Sequence, residues 1–242
     1  MNYIILQVIY FTEGHNAMDE LVPAFDASLF NSHISDIGSD YLELGIDSVL
    51  KDGLLKDIPI VGTIVSLGKL AHNIQDRNLL LQTLAFICEL NSSTVTLEKY
   101  NEYRAKWFID SRFKERELGY ILIILNKNID TIKSRFEAKF YSAYIDKMIN
   151  WNEFCELCDI TDRLFAPDID TLKEAYNNNG VTEDMDISYR HDRLNSLGLL
   201  TNEARLHGSI FMEDLDSKEK LKIFELTEIG QKFCDIAFKF YI

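Results

Sequence analysis

Apolar residues recur at helical spacing along most of the first 165 positions. Leu42, Ile46, Val49, Leu50, Gly53 and Leu54 fall three or four apart, with Glu43, Asp47, Lys51 and Asp52 on the opposite side. That pattern predicts a helix ending near Lys56, because Pro59 disfavours helical geometry at Ile58 and suits a first turn. A second helix is expected from Pro59 towards Asn73, apolar over most of its circumference. Together they would form a helical hairpin over 42–73. Residues 78–90 form a further apolar helix, and Thr96 is placed to cap one bearing Tyr100, Tyr103 and Trp107. The run 118–125, flanked by charged residues, reads as a buried helix of about twelve residues. Ile129, Ile132, Phe136, Phe140, Tyr144, Ile145 and Met148 keep helical spacing. Asn150 and Glu153 have capping-box spacing before Trp151, Phe154, Cys158, Thr161 and Phe165.

The grammar changes at Pro167. Asp168 is expected to cap a short helix that stops at Asn177, Asn178, Asn179 and Gly180. A second helix opens at Tyr189, ends at Gly198 and leads into a strand from Leu199. Strands over 209–213 and 221–226 are expected to pair across a charged turn, and Thr227 to cap a closing helix. Near the start, residues 3–11 read either as a strand or as sequence preceding a natural start at Met18. The pattern thus predicts a mainly α protein: an N-terminal segment 1–38, a helical array over 39–166 and a small α+β module over 167–242.

Composition narrows the chemistry. The net charge of −14, from 39 acidic and 25 basic residues, repels nucleic acid and anionic lipid at long range. Four cysteines, Cys88, Cys155, Cys158 and Cys234, are too sparse for a disulfide framework and point to a reducing compartment. Cys155 and Cys158 have C-x-x-C spacing but lie inside a helical pattern, which favours core cysteines over a redox or zinc site. The five histidines, His15, His33, His72, His191 and His207, are scattered, and no phosphate-binding loop or nucleophile elbow is present. No catalytic residue, metal ligand or cofactor is therefore expected, and the chain reads as a non-enzyme.

Two segments stand out as candidate sites. Residues 58–68 contain no charged side chain. Ile58, Pro59, Ile60, Val61, Ile64, Val65 and Leu67 are read either as core or as a membrane-active element whose flanking Lys51, Lys56 and Lys69 would sit at headgroup level. Eleven residues are too few to span a bilayer alone. A nucleic-acid reading of the last module would use Arg190, His191, Arg193 and Asn195, with Lys218, Lys220 and Lys222 beyond them. Residues 181–226 carry six basic against ten acidic side chains, a balance of −4 that argues against duplex binding.

The last 75 or so residues, with L-x-x-L-G-L-L at 194–200 and L-T-x-x-G at 226–230, resemble the winged helix-turn-helix domains of bacterial proteins. Residues 53–165 resemble bacterial abortive-infection alpha and superinfection-exclusion proteins, through D-G-x-x-K-x-I-P-x-x-G character at 52–62 and a helix beginning near Asp76 and Arg77. These resemblances imply an antiviral defence or phage-exclusion protein of the bacterial cytoplasm, acting through a protein partner or a second copy of itself. The apolar segment adds conditional association with the inner face of the membrane. The alternative they imply is a winged-helix transcriptional regulator.

Overall fold

The computed structural model describes residues 14–30, 58–67, 74–93, 95–108, 112–182, 188–202 and 223–239. The expected strand at 3–11, the first arm of the hairpin over 42–56, the strand at 209–213 and Lys218, Lys220 and Lys222 lie outside the described residues. Those residues are mainly helical, with a small antiparallel sheet. They divide into two compact units, Met1–Cys158 and Asp159–Ile242.

The first unit opens with α1 (Gly14–Ser28), followed by α2 (Pro59–Leu67) and α3 (Ile74–Asn91). Then come α4 (Leu97–Arg104), a 3-10 turn (Ala105–Phe108), α5 (Arg112–Lys127), α6 (Thr131–Ile145) and α7 (Trp151–Arg163), in which the division between units falls. Helix α3 packs along α6, while α1 packs on α2 and α5. Buried Phe25, Phe86, Phe140, Tyr141 and Phe154 fill the centre. A polar seam fixes the α5–α6 turn to α3. Asn128 Nδ2 donates to Ser134 Oγ (3.0 Å) and Glu137 Oε2 (2.8 Å), Ser134 Oγ donates to Gln82 Oε1 (2.7 Å), and Gln82 Nε2 donates to the Ile129 carbonyl (3.0 Å). Such a seam specifies which turn meets which helix, because each partner would be costly to bury alone.

Local caps follow the sequence closely here. Thr96 accepts the Lys99 N–H at 3.3 Å. Asn150 Oδ1 accepts the Glu153 N–H at 3.1 Å while Glu153 Oε2 accepts the Asn150 N–H at 2.8 Å, a complete capping box. Other expectations are corrected. The helix begun at Leu97 passes into a 3-10 turn before Trp107. Helix α6 excludes Ile129 and Met148, which stay exposed, because Asp130 caps it by accepting the Ile132 N–H (3.1 Å) and Lys147 leaves it at φ 60°. Helix α7 ends at Arg163, so Phe165 lies beyond it.

The second unit continues with a 3-10 turn (Ala166–Asp168), α8 (Ile169–Asn178), β1 (Val181–Thr182), α9 (Ser188–Ser196), β2 (Leu200–Asn202), β3 (Ile223–Leu226) and α10 (Glu228–Lys239). The sheet order is β1-β3-β2, antiparallel throughout, with Val181 opposite Phe224 and Leu200 opposite Leu226. Strand β1 was not anticipated, and β2 begins one residue later than expected. Asn179, at φ 55°, ends α8 as its asparagine run predicts.

The two sequence motifs of this unit meet in space. Thr227 Oγ1 accepts the Gly230 N–H (2.9 Å), capping α10, and donates to the Gly198 carbonyl, while the Thr227 N–H donates to the Leu199 carbonyl at 3.1 Å. A Cβ on Gly230 would lie 2.0 Å from that Leu199 carbonyl oxygen. The second glycine exists so that the start of α10 can touch the loop after α9.

Candidate functional site

The apolar segment is half packed and half open. Ile58, Ile60, Val61 and Ile64 are buried, and α2 lies against α1 and α3. The Ile60 N–H donates to Ser28 Oγ at 3.0 Å, so an orphan donor at the helix start is satisfied from α1. Pro59, Gly62, Val65 and Ser66 face outward, and Thr63 and Ser66 turn their hydroxyls onto the Pro59 and Thr63 carbonyls of their own helix. The outer face of α2 is thus uncharged. Leu67 closes the helix. No helix among the described residues is long and apolar enough to cross a membrane.

A dense polar constellation among the described residues of the first unit surrounds Glu117, which is 2 % exposed. Lys106 Nζ and the Tyr144 hydroxyl donate to Oε1, both at 2.8 Å. The Tyr103 hydroxyl and Trp107 Nε1 donate to Oε2 at 2.5 and 3.2 Å. Lys106 also sits 3.9 Å from the centre of the Tyr103 ring. Burial lowers the Lys106 pKa from its ordinary value, opposed by the hydrogen bond to Glu117, and burial first of all raises those of Tyr100, Tyr103, Tyr141 and Tyr144. A carboxylate has about four acceptor positions. All are taken here, so Glu117 ties α4, the 3-10 turn and α6 to α5 and has none left for a substrate or metal. The charged flank of the 118–125 run hid this residue from sequence reading.

In the second unit, Asp168 does not cap α8 with its side chain, contrary to expectation. Its carboxylate, 1 % exposed, instead accepts Arg193 Nε (2.7 Å) and Nη2 (2.5 Å) in a bidentate pair. A buried carboxylate is worth more to a guanidinium than to a backbone N–H, and the hydrogen bond raises the Arg193 pKa. The Arg193 guanidinium lies 5.1 Å from the Phe165 ring centre and 4.9 Å from that of Tyr189. Phe165 and Tyr189 are 58 % and 51 % exposed, large aromatic surfaces left in water. Beside them Arg190 donates Nη1 to the Pro167 carbonyl at 3.3 Å, and its Nε, closed to solvent, has no hydrogen-bond partner among the described residues.

Of the four residues proposed for nucleic acid, then, Arg190 and Arg193 share a surface and Asn195 is exposed. His191 is buried and stacks on Phe224, ring centres 5.0 Å apart. Sequence reading missed Phe165, Tyr189 and Asp168 as members of this cluster, although Tyr189 and Arg193 stand four apart on one helix.

Among the described residues no group of three or more histidines, cysteines and carboxylates is placed to hold a metal. The cysteines are free thiols, and burial pushes the Cys88 pKa up to about 11 and that of Cys234 up to about 12. No protein-family model, curated protein or solved structure matches the chain.

Proposed function

We propose that the protein acts by binding rather than by catalysis, as a bacterial defence or phage-exclusion protein of the cytoplasm. In this reading the second unit makes protein contacts and α2 provides conditional association with the membrane. The observation that carries the binding role is the exposed Phe165, Arg193 and Tyr189 stack. It leaves aromatic surface in water while a buried carboxylate holds its guanidinium still, the preorganisation that recognition surfaces use. The saturation of Glu117 supports the non-enzymatic reading, since all of its acceptor positions are engaged within the fold.

The element order helix, strand, helix, strand, strand, helix, with β3 central, supports a winged-helix module over 167–242. Its use on DNA is the weaker reading. His191 is turned inward and Arg193 is committed to Asp168, which leaves Arg190 and Asn195 on a chain of net charge −14. In the exclusion-protein reading of 53–165 the motif residues fall at helix starts: Pro59 opens α2, and Asp76 lies in the first turn of α3.

The test is phage plating on a host expressing the wild type, an empty vector or a Phe165→Ala/Tyr189→Ala/Arg190→Gln variant at matched abundance. Protection by the wild type and its loss in the variant are expected. Equal plating on wild type and vector, across phages of different classes, would overturn the defence reading.

A further inference from the structure

We infer that the rings around Glu117 form a path for one-electron oxidation, running from Trp151 through Tyr144 to Tyr103, where Glu117 receives the phenolic proton and a neutral tyrosyl radical is held. The inference goes beyond the binding reading and does not depend on it.

The path comes from ring spacing. Electron tunnelling falls off steeply with distance, so a row of oxidisable rings in contact carries a positive hole further than one long jump does. Tryptophan and tyrosine side chains can hold such a hole, and phenylalanine cannot. The Trp151 ring centre lies 5.3 Å from that of Tyr144, and Tyr144 lies 5.3 Å from Tyr103, both within packed-ring range. Trp107 is a further 5.8 Å from Tyr103 but only 7 % exposed, whereas Trp151 is half-buried. A surface oxidant therefore meets Trp151 first of the two tryptophans.

The proton needs a base. A tyrosine that loses an electron becomes a strong acid, so it is oxidised readily only where a neighbour takes its proton. The Tyr103 hydroxyl donates to Glu117 Oε2 at 2.5 Å, that of Tyr144 to Oε1 at 2.8 Å and that of Tyr100 to Asp26 Oδ1 at 2.8 Å. Three neighbouring phenols thus each face a carboxylate, although most side-chain hydrogen bonds in proteins go to backbone or water. Tyr103 has the shortest of the three bonds. In the step, a one-electron oxidant such as a ruthenium(III) complex takes one electron from Tyr103 by way of the ring path and is itself reduced. The Tyr103 O–H bond breaks, and the proton forms a new O–H bond on Glu117 Oε2. Return of the electron reverses both transfers.

The charge created has a place to go. Before oxidation the charges of Glu117 and Lys106 cancel across a 2.8 Å pair. Afterwards Glu117 is neutral and the surplus positive charge rests on Lys106, whose side chain is 33 % exposed against 2 % for Glu117, so water solvates it. The same ammonium lies 3.9 Å from the Tyr103 ring centre. It opposes a positively charged ring there, so electron and proton leave together.

The experiment oxidises the full chain by laser flash with tris(bipyridine)ruthenium and an irreversible cobalt(III) pentaammine quencher, cations that the acidic chain attracts, and follows transient absorption. In the wild type the broad band of a tryptophanyl radical should give way to the sharp band of a tyrosyl radical that outlives the tyrosyl signal of the urea-unfolded chain. Its rise should slow in heavy water, because a proton crosses to Glu117. Trp151→Phe should delay that rise. Tyr103→Phe should shorten the life of the band, and Tyr103→Phe/Tyr144→Phe should abolish the long-lived signal. Glu117→Gln would leave Lys106 without its counter-charge and strain the fold, so the phenols are changed instead, with urea unfolding as the folding check.

A long-lived tyrosyl band that persists in the folded double variant overturns the inference. So does an equal lifetime in folded and unfolded wild type, or a rise indifferent to heavy water or to Trp151→Phe.

Discussion

Three glycines with different surroundings offer a graded test of the packing described above. At Gly230 an added Cβ meets the Leu199 carbonyl oxygen at 2.0 Å, whereas real contacts stay beyond 3.0 Å. In Gly230→Ala the start of α10 must therefore retreat by about 1 Å from a backbone that cannot rotate away. That movement pulls apart three hydrogen bonds: Thr227 N–H to Leu199, Thr227 Oγ1 to Gly198 and Gly230 N–H to Thr227 Oγ1. At roughly 1 kcal/mol each, with some loosening around buried Phe233 and Cys234, the cost is about 3–5 kcal/mol. A small domain has only about 5–15 kcal/mol in all.

Gly198, at φ 75°, has no atom within 4 Å of its Cβ position. Gly198→Ala bears only the left-handed penalty of about 1–2 kcal/mol, partly offset by a less flexible unfolded chain. Gly62 lies inside α2 with equally open surroundings, so Gly62→Ala should stabilise by about 0.5–1 kcal/mol. Urea unfolding separates these effects, because both tryptophans, Trp107 and Trp151, lie in the first unit while circular dichroism reports on both units. The fluorescence midpoint should rise in Gly62→Ala, and the dichroism should show early loss of helix in Gly230→Ala. A Gly230→Ala protein as stable as Gly198→Ala would refute the close approach of α10 to Leu199.

Other substitutions probe the first unit. Ile64 is 3 % exposed and Val65 44 %, so Ile64→Asp should abolish folding by burying an unpaired carboxylate. Val65→Ser should cost only about 1 kcal/mol in the same urea assay. Alkaline stability follows from Tyr100, Tyr103, Tyr141 and Tyr144, whose folded pKa values are raised above 10.0. Groups of that kind stabilise fully below the unfolded pKa, and their contribution is lost as pH rises through and beyond it. Lys106, with its pKa lowered, opposes this with a smaller gain as pH approaches 10.5. Of the eleven tyrosines, these four should accordingly add their tyrosinate absorbance in one cooperative step with loss of fluorescence structure above pH 10, and complete titration of all eleven in a folded protein would contradict the burial described. Finally, the raised Cys88 pKa of about 11 against an ordinary 9.0 cuts its thiolate fraction about a hundredfold at neutral pH. Mass spectrometry after brief alkylation should find Cys155, half-buried, modified before Cys88 and Cys234.

The elements legible in the sequence are those written by neighbours in the chain. Thr96, the Asn150 and Glu153 box, Asn179 and Thr227 act on backbone groups within three or four residues, so spacing alone finds them. Helix α1 was not anticipated. Pro23 interrupts its ladder, and it is held by tertiary burial of Val22, Phe25 and Leu29, which no local rule reports. The same limit hid the polar clusters. Glu117 stands in a charged run that reads as a solvated helix end, yet its donors come from three other elements. Asp168 has the spacing of a cap and the environment of an ion pair, and Arg193, 25 residues away, decides between them.

The seat of α2 sets a clock on any membrane encounter. Releasing Ile58, Ile60, Val61 and Ile64 costs roughly 1.5–3 kcal/mol for each side chain, and the bond from Ile60 to Ser28 adds about 1. The sum, about 7–13 kcal/mol, is the size of a whole domain's stability, so the freed helix is populated below about one part in 10⁵. A bilayer can return the apolar burial once the helix arrives, but it cannot shorten the climb. Opening α1 from α2 then limits the process to the timescale of unfolding, seconds to days for small domains. Association through α2 should therefore proceed at a rate independent of lipid concentration, and anything that parts Ser28 from Ile60 should speed it.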